Sequence, residues 1–382
     1  MTETPLEGVR VLELARILAG PWAGQVLADL GAEVIKVESP AGDDTRGWGP
    51  PFVENPNGSR DAAYFHAANR GKRSVAIDFS TTEGRKRVMD LARDADVVIE
   101  NFKVNGLEKF SLDFRSIAKI NPRIIYCSIS GFGQDGPYAA RPGYDFVIQG
   151  MSGIMDVTGD PSGEPQKTGV AFADIFAGLY SVIAIQAALR HRENTGKGQH
   201  IDISLLDTMM GVLANQGLNY LVSGVSPERL GNMHPNIAPY ESFATSDGWI
   251  TIAVGNDSQF QRLCKVLERP DLVADPRYAH NEDRVINRKE LHEAIGSIIR
   301  KYSRDEILGQ LQFSGIPAGP INTVEQAFSD PQSQHRDIQL SMERKGSDRA
   351  IPGLRIPIRF SESSLGKSQP APMLGNHDDG WK

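Results

Sequence analysis

The sequence predicts an α/β protein: a parallel sheet covered by helices on both faces, followed by a second, smaller unit. Over about 130 residues from Gly8, short apolar runs alternate with helical segments, and strand–helix–strand succession builds parallel sheets through right-handed crossovers. From Ser223 to Pro239 the composition shifts to Gly224, Pro227, Gly231, His234, Pro235 and Pro239, a hinge-like linker. New strand and helix signals begin near Tyr240. A chain of 382 residues has room for two or three domains with a core in each.

In order, Gly8–Leu14 reads as a strand bounded by turn signals. Gly20-Pro21 opens a helix through Leu30 that Gly31 closes, the usual Pro-start and Gly-stop asymmetry. Glu33–Glu38 is a second strand, and Ser39–Asn69 reads as one long loop, a length associated with function or with wrapping a partner. Ser74–Phe79 is a strand, and Ser80 with Glu83 forms a capping-box pattern for a helix to Arg93. Asp96–Phe102 and Arg123–Ser130 are further strands. Gly163–Arg190 combines a Gly- and Pro-punctuated loop with an almost wholly apolar helix, expected to be buried. Gly198–Leu205 alternates as a strand and Asp207–Leu221 reads as one helix. In the second unit, strands are expected at Glu241–Thr245 and Trp249–Val254, and helices at Asp257–Leu267, Asn287–Ile299 and Arg304–Phe313. A last short strand is expected at Ile356–Phe360.

Composition narrows the function. A net charge of −7 argues against a nucleic-acid partner while leaving room for a small polyanion held by a local cluster of donors. Cys127 and Cys264 are the only cysteines, which fits a reducing compartment and offers no paired zinc spacing, so no metal is expected. The polar N-terminus lacks an apolar signal region, and no uninterrupted apolar run approaches about 20 residues, so neither secretion nor a membrane span is expected and the cytoplasm is the expected location. The first strand–helix turn lacks a G-x-G-x-x-G pattern. The pattern at Gly131-Phe132-Gly133-Gln134-Asp135-Gly136 runs into Pro137 and opens no helix, which disfavours nicotinamide and flavin sites. There is no P-loop, nucleophile elbow or H-E-x-x-H.

What remains is Asp174, delivered to the mouth of the apolar helix. An Asp there serves either as a cap for the free N–H groups or as a nucleophile, since a carboxylate needs only ionisation and low solvation to attack an activated acyl carbon. Ligands on parallel sheets bind at the carboxyl ends of the strands, where Asn101 and Phe102 terminate one.

An ordered set of short motifs carries a resemblance. It comprises Gly20-Pro21, Ala32-Glu33-Val34-Ile35-Lys36-Val37-Glu38, Asn69-Arg70-Gly71-Lys72-Arg73-Ser74 and Glu100-Asn101-Phe102. Ile129-Ser130-Gly131-Phe132-Gly133, Gly136-Pro137-Tyr138, Gly143-Tyr144-Asp145, the loop Gly169–Asp174 and Thr195-Gly196-Lys197-Gly198-Gln199 complete it. From Leu6 to Gly375 the chain resembles a family III CoA-transferase. Gly231–Tyr240 resembles the branch that uses succinyl-CoA with dicarboxylates such as glutarate or hydroxymethylglutarate.

The resemblance implies a Rossmann-like large domain over 1–222, a small α+β domain inserted over 223–329, and a C-terminal segment, 330–382, that returns to complete the large domain. It also implies an interlocked homodimer. Its activity is CoA transfer from an acyl-CoA to a free carboxylic acid, with Asp174 as catalytic nucleophile passing through an aspartyl anhydride and an aspartyl-CoA thioester. Coenzyme A, as acyl-CoA, is the implied ligand. Its contacts by motif position are Ile17, Leu18 and Ala19; Ile77, Asp78, Phe79 and Ser80; Asn101, Phe102, Lys103 and Lys109. Arg46, Arg70, Lys72 and Arg73 are candidate phosphate partners, each alternatively a solvated surface charge. Tyr144 and His234 are candidate substrate contacts, Tyr144 alternatively a half-buried core residue and His234 a hydrogen-bonded loop histidine. Related racemases carry a His at the position of Tyr144, and Tyr, with a pKa near ~10, is a poor base for an α-proton. A racemase and a catalytically silent CoA-binding protein remain as alternatives.

Overall fold

Alternation with period two builds the sheet. Val11, Val34, Val97 and Ile125 point to one face, and Leu12, Ile35, Val98 and Tyr126, each one residue on, point to the other; all are buried. In the computed structural model, which describes residues 3–377, 380 and 381, the strands are β1 (Arg10–Glu13), β2 (Glu33–Glu38), β3 (Phe52–Glu54), β4 (Arg60–Ala62), β5 (Arg73–Ala76), β6 (Val97–Glu100), β7 (Ile125–Ser130) and β8 (Gln199–Ser204). Six of them form one parallel sheet in the order β5-β2-β1-β6-β7-β8. Register is set by pairs such as Leu12↔Ile35 and Leu12↔Val98.

The helices that cover this sheet are α1 (Ala19–Asp29), α2 (Ala63–Asn69), α3 (Thr82–Arg93), α4 (Phe114–Ile120), α5 (Asp145–Met151), α6 (Phe172–Thr195) and α7 (Leu205–Gly211). On one face, Ala19, Ala23 and Leu27 of α1 and Ala173, Ala177, Ile185 and Leu189 of α6 join the sheet residues in a single core. On the other face, Val88 and Ala92 of α3 and Ile117 of α4 do the same. Each fully buried Leu, Ile or Val adds about 1.5–3 kcal/mol, so the two cores hold the sheet between its helices. Gly178 lets α1 and α6 cross closely, because a Cβ there would lie 2.8 Å from the Ala19 carbonyl oxygen.

The chain divides into two units. The first takes in the chain up to Ile154, Thr168–Ala214 and the chain from Pro331 onward; the second takes in Met155–Lys167 and Asn215–Asp330. The sequence-based limit at 223 thus moves to 215, and residues 155–167 go with the second unit. There α8 (Ala214–Ser223) precedes an antiparallel sheet of β9 (Tyr240–Ala244), β10 (Trp249–Ala253) and β11 (Ala318–Pro320). Its core joins Phe243, Ile250 and Ile252 to Phe260 and Leu263 of the helix Asp257–Val266, Ile295 and Ile299 of Arg288–Ile299, and Ile307 and Leu311 of Arg304–Phe313.

Several expectations change. Ser39–Asn69 is not one loop: it holds a 3-10 turn at Asp44–Gly47, the hairpin β3–β4 and α2. Its local composition hides them because side-chain pairing across the segment fixes them, notably the Arg46 guanidinium between Glu38 and Asp61. Thr81, not Ser80, caps α3, its hydroxyl accepting from Gly84 N. The helix expected over Asp207–Leu221 is two, α7 and α8, the second opening at Ala214 with φ +48°.

Ile356–Phe360 is not a strand; the C-terminal strands are β12 (Gln339–Met342) and β13 (Ile351–Leu354), which pair with each other. Among the described residues the C-terminal segment adds no strand to the six-stranded sheet. It is tied to the large unit by Gly71 N donating to Gln369 O, Gly375 N to the Ser74 hydroxyl and Trp381 Nε1 to Leu91 O. Finally, α6 is long and apolar enough to cross a membrane by composition alone. One flank is core, while Tyr180 (44% exposed) and Ile183 (62% exposed) on the other are uncovered, contrary to the all-round burial expected.

Candidate active site

The strand order reverses between β1 and β6, since the chain runs from β1 outward to β2 and β5 before returning to β6 on the opposite side. A crevice opens at the carboxyl ends of strands at such a point. Here Arg16-Ile17-Leu18 follows β1 and Asn101-Phe102 follows β6. Asn101 ties the two loops together: its Oδ1 accepts from Arg16 N at 2.8 Å and its Nδ2 donates to Arg16 O at 2.6 Å. Ile17 sits at φ +70°, strained for a β-branched residue. Its N–H is held by the Asp43 carboxylate at 3.2 Å. Asp43 in turn pairs at 2.9 Å with the fully buried Lys36, which also bonds Glu13 at 3.1 Å and Ala15 O at 2.8 Å.

The crevice is a cleft of about 540 Å³. Its walls include Arg16, Ile17, Leu18 and Ala19 on the β1 side, Phe79, Phe102, Lys103, Lys109 and Phe110 on the β6 side, and Arg141, Tyr144 and Asp174 at the far end. Phe79 packs edge-on against Phe102 at 5.9 Å and Phe110 at 5.3 Å, giving an apolar aromatic wall beside two lysines. Aromatic rings next to ammonium groups suit a ligand with both a planar base and phosphates.

The loop that carries Arg141 and Tyr144 is seated on the end of β7 by Gly131 and Gly143, whose backbones touch; a Cβ on Gly131 would lie 2.6 Å from Gly143 Cα. Arg141 stacks its guanidinium 3.8 Å from the Tyr138 ring centre. Tyr144 is 64% exposed, which excludes the core reading.

Asp174 is the third residue of α6, whose N-cap position is Ala171, a residue with no side-chain acceptor. The cap comes from elsewhere: Asp145 Oδ1 accepts from Ala173 N at 2.8 Å and from Asp174 N at 3.4 Å. Asp174 is therefore not spent as a cap. Among the described residues no group donates a hydrogen bond to its carboxylate, and burial, reinforced by the nearby Asp145 charge, pushes its pKa up to about 7. Tyr64 of α2 lies near enough to feel both carboxylates: burial and then the Asp174 charge raise its phenol.

Other expected cofactor contacts fall elsewhere. Arg46 is committed to Glu38 and Asp61 and stacks on Phe65; Arg70 pairs with Asp29, Lys72 with Glu13, and Arg73 with Glu33. These four cations are buried ion-pair partners, so the reading of them as phosphate ligands or surface charges is corrected. Ile77 is buried in the core, and Asp78 accepts from the Ser80 N–H and hydroxyl in a local turn. Of that quartet only Phe79 lines the cleft. His234 belongs to the second unit, where its Nδ1 accepts from Asn236 N and its ring packs on Tyr240. Sequence reasoning missed Arg16, Phe110 and Arg141 as cleft residues and Asp145 as the cap; only the Gly143-Tyr144-Asp145 turn ahead of a helix hinted at the last.

Fold and cleft together define an α/β protein of the enzyme type, with one carboxylate at the end of an aromatic and basic cleft that opens at the switch point of its sheet. The chain belongs to CoA-transferase family III, whose sequence model matches residues 6–378. It is 55% identical to the succinate–glutarate CoA-transferase of Agrobacterium fabrum, over 98% of this chain and 94% of the relative. It is 41% identical to the succinyl-CoA:glutarate CoA-transferase of Homo sapiens, over 98% and 84%. Among solved structures, a CAIB/BAIF family protein from Brucella suis superposes with a TM-score of 0.88 at 58% identity, covering 98% of both chains.

Proposed function

We propose that the protein moves CoA from succinyl-CoA, or a similar dicarboxylyl-CoA, to a free carboxylic acid, with Asp174 as the covalent carrier. One observation carries the mechanism: a half-buried carboxylate, free of hydrogen-bond donors among the described residues, at the end of an aromatic and basic cleft. The relatives' names support the donor and the dicarboxylate acceptor.

The ionised Asp174 attacks the thioester carbonyl, forming a mixed anhydride and expelling the CoA thiolate. The thiolate attacks the Asp174 carbonyl of that anhydride, forming an aspartyl-CoA thioester and releasing the donor acid. The acceptor carboxylate attacks the aspartyl thioester carbonyl, regenerating an anhydride and thiolate. The thiolate then takes the acceptor acyl group and frees Asp174. Lys103 and Lys109 suit the phosphates, Phe79, Phe102 and Phe110 the base, and Arg141 and Tyr144, at the Asp174 end, the acyl group.

Exposed Phe146, Val147 and Met151 of α5, and Tyr180 and Ile183 of the α6 helix that it packs against, support a homodimer as part of this reading. The two free, buried cysteines support a cytoplasmic location.

Asp174→Asn tests the carrier. Incubated with succinyl-CoA and quenched, the wild-type protein should show an acyl or CoA adduct on the peptide containing Asp174 by mass spectrometry, and hydroxylamine should discharge it. The variant should show none and should exchange CoA at less than about a thousandth of the wild-type rate. Full exchange by Asp174→Asn, or an adduct on another residue, refutes the reading. Deuterium entering a 2-methylacyl-CoA without an acceptor acid would identify a racemase instead.

A further inference from the structure

The geometry points to Asp145 as a positioning residue for the reaction: its carboxylate occupies the first free N–H groups of α6 and stands as a fixed negative neighbour that keeps Asp174 basic and open to substrate. This rests on Asp174 being the carrier.

The free N–H groups of a helix's first turn are normally met by an N-cap side chain, and where an Asp stands at the third position its own carboxylate can fold back to serve them. Either arrangement at Asp174 would turn its oxygens inward and lower its basicity through the helix dipole. Asp145 forestalls this by reaching Ala173 N and Asp174 N from another helix. It cannot swing away: its Oδ2 accepts from Gln149 Nε2 at 2.7 Å, and Gln149, fully buried, accepts through Oε1 from Thr168 N at 3.0 Å and the Thr168 hydroxyl at 3.1 Å. The brace therefore links α5 to the segment entering α6 and fixes Asp145 relative to the reacting carboxylate.

The electrostatic consequence acts on chemistry. Acylation of Asp174 abolishes its charge, so repulsion from Asp145 is present in the free enzyme and relieved in both covalent intermediates. The other ionisable groups facing Asp174 do not cancel it. Tyr64 of α2 and Tyr144 are phenols, Arg16 is paired with Asp44, Arg141 is stacked on Tyr138, and Lys103 and Lys109 line the β6 side; none of these contributes to the upward shift of Asp174, which comes from burial and Asp145.

The test is the pH dependence of kcat/KM for the full-length enzyme with succinyl-CoA and glutarate, which reports the free enzyme. In the wild type the acid limb should fall near pH 7. Asp145→Asn keeps an acceptor oxygen for the helix N–H groups and removes the charge, so the limb should move down by about one unit. The equilibrium yield of trapped aspartyl-CoA with succinyl-CoA alone should fall about tenfold in parallel. Asp145→Glu, which keeps the charge, should leave the limb close to the wild-type position.

A purely structural role would move the melting temperature and leave the limb in place. The proposal is overturned by an unmoved limb in Asp145→Asn, by an equal shift in Asp145→Glu, or, before any variant is made, by a wild-type limb at or below about pH 5. Failure of the carrier reading shows separately, as an active Asp174→Asn.

Discussion

Replacing Lys36 by Met should cost the large unit about 3–5 kcal/mol, because it breaks a charge cluster with no access to water. Lys36 Nζ bonds Glu13, Asp43 and the Ala15 carbonyl at 3.1, 2.9 and 2.8 Å, and the Lys36, Glu13 and Asp43 side chains are all fully buried. Burial alone would pull the Lys36 ammonium down, but Glu13, Asp43 and Glu38 outweigh it and raise its pKa from the ordinary 10.5 to about 12. That difference of roughly 1.5 units corresponds to about 2 kcal/mol of folding stability. Since the folded value lies above the unfolded one, the contribution is fully present at neutral pH and lost as pH rises through about 12.

Methionine also leaves Asp43 with only neutral donors, the Ile17 and Thr45 N–H groups and the Thr45 hydroxyl, and the penalty of that uncompensated charge brings the total to the range above. Trp22, Trp48 and Trp381 lie in the large unit and Trp249 in the other, so urea unfolding followed by fluorescence in a Trp249→Phe background reads the large unit alone. A loss below about 1 kcal/mol at pH 7 refutes the reasoning, since a cluster so cheaply broken would have to be hydrated. Because Asp43 also holds the strained Ile17 N–H at the cleft, the KM for succinyl-CoA should rise in the same variant.

Two further predictions concern stability. Burial pushes the Glu100 pKa up from 4.5 to about 7, so its ionisation destabilises the fold as pH rises through that value. Glu100→Gln, which can still accept from Phe102 N, should gain on the wild type by up to about 3 kcal/mol between about pH 5 and about pH 9 in urea unfolding; an equal difference at both ends rules this out. Gly178→Ala should lower the melting temperature despite the better helix propensity of Ala, because the new methyl would meet the Ala19 carbonyl at 2.8 Å and Trp22 at 3.1 Å, an overpacking cost of about 1–3 kcal/mol; a melting temperature at or above the wild type counts against it.

Elements with strong local signals were plain in the sequence: the strand Glu33–Glu38, apolar at Val34, Ile35 and Val37 and bounded by turn residues, and the helix Arg304–Phe313, opened by the Ser303–Glu306 capping box, match at both ends. The loop Ser39–Asn69 was not, because its hairpin and helix depend on Arg46 meeting Glu38 and Asp61 rather than on any local pattern. The same reason defeated the phosphate assignments. Arg46, Arg70, Lys72 and Arg73 are ordinary basic residues on paper, and only the folded chain brings Glu38, Asp29, Glu13 and Glu33 to them.

The sequence by itself determined the alternation of strand and helix, the family, and a lone carboxylate at the start of an apolar helix. It did so because apolar periodicity and motif order are local and survive without coordinates. Tertiary structure alone decided that this carboxylate receives no hydrogen bond from any described residue. Its helix is capped by a residue 29 positions earlier in the chain, and its basicity comes from burial and that same neighbour, two properties of an assembled interior that no window of sequence contains.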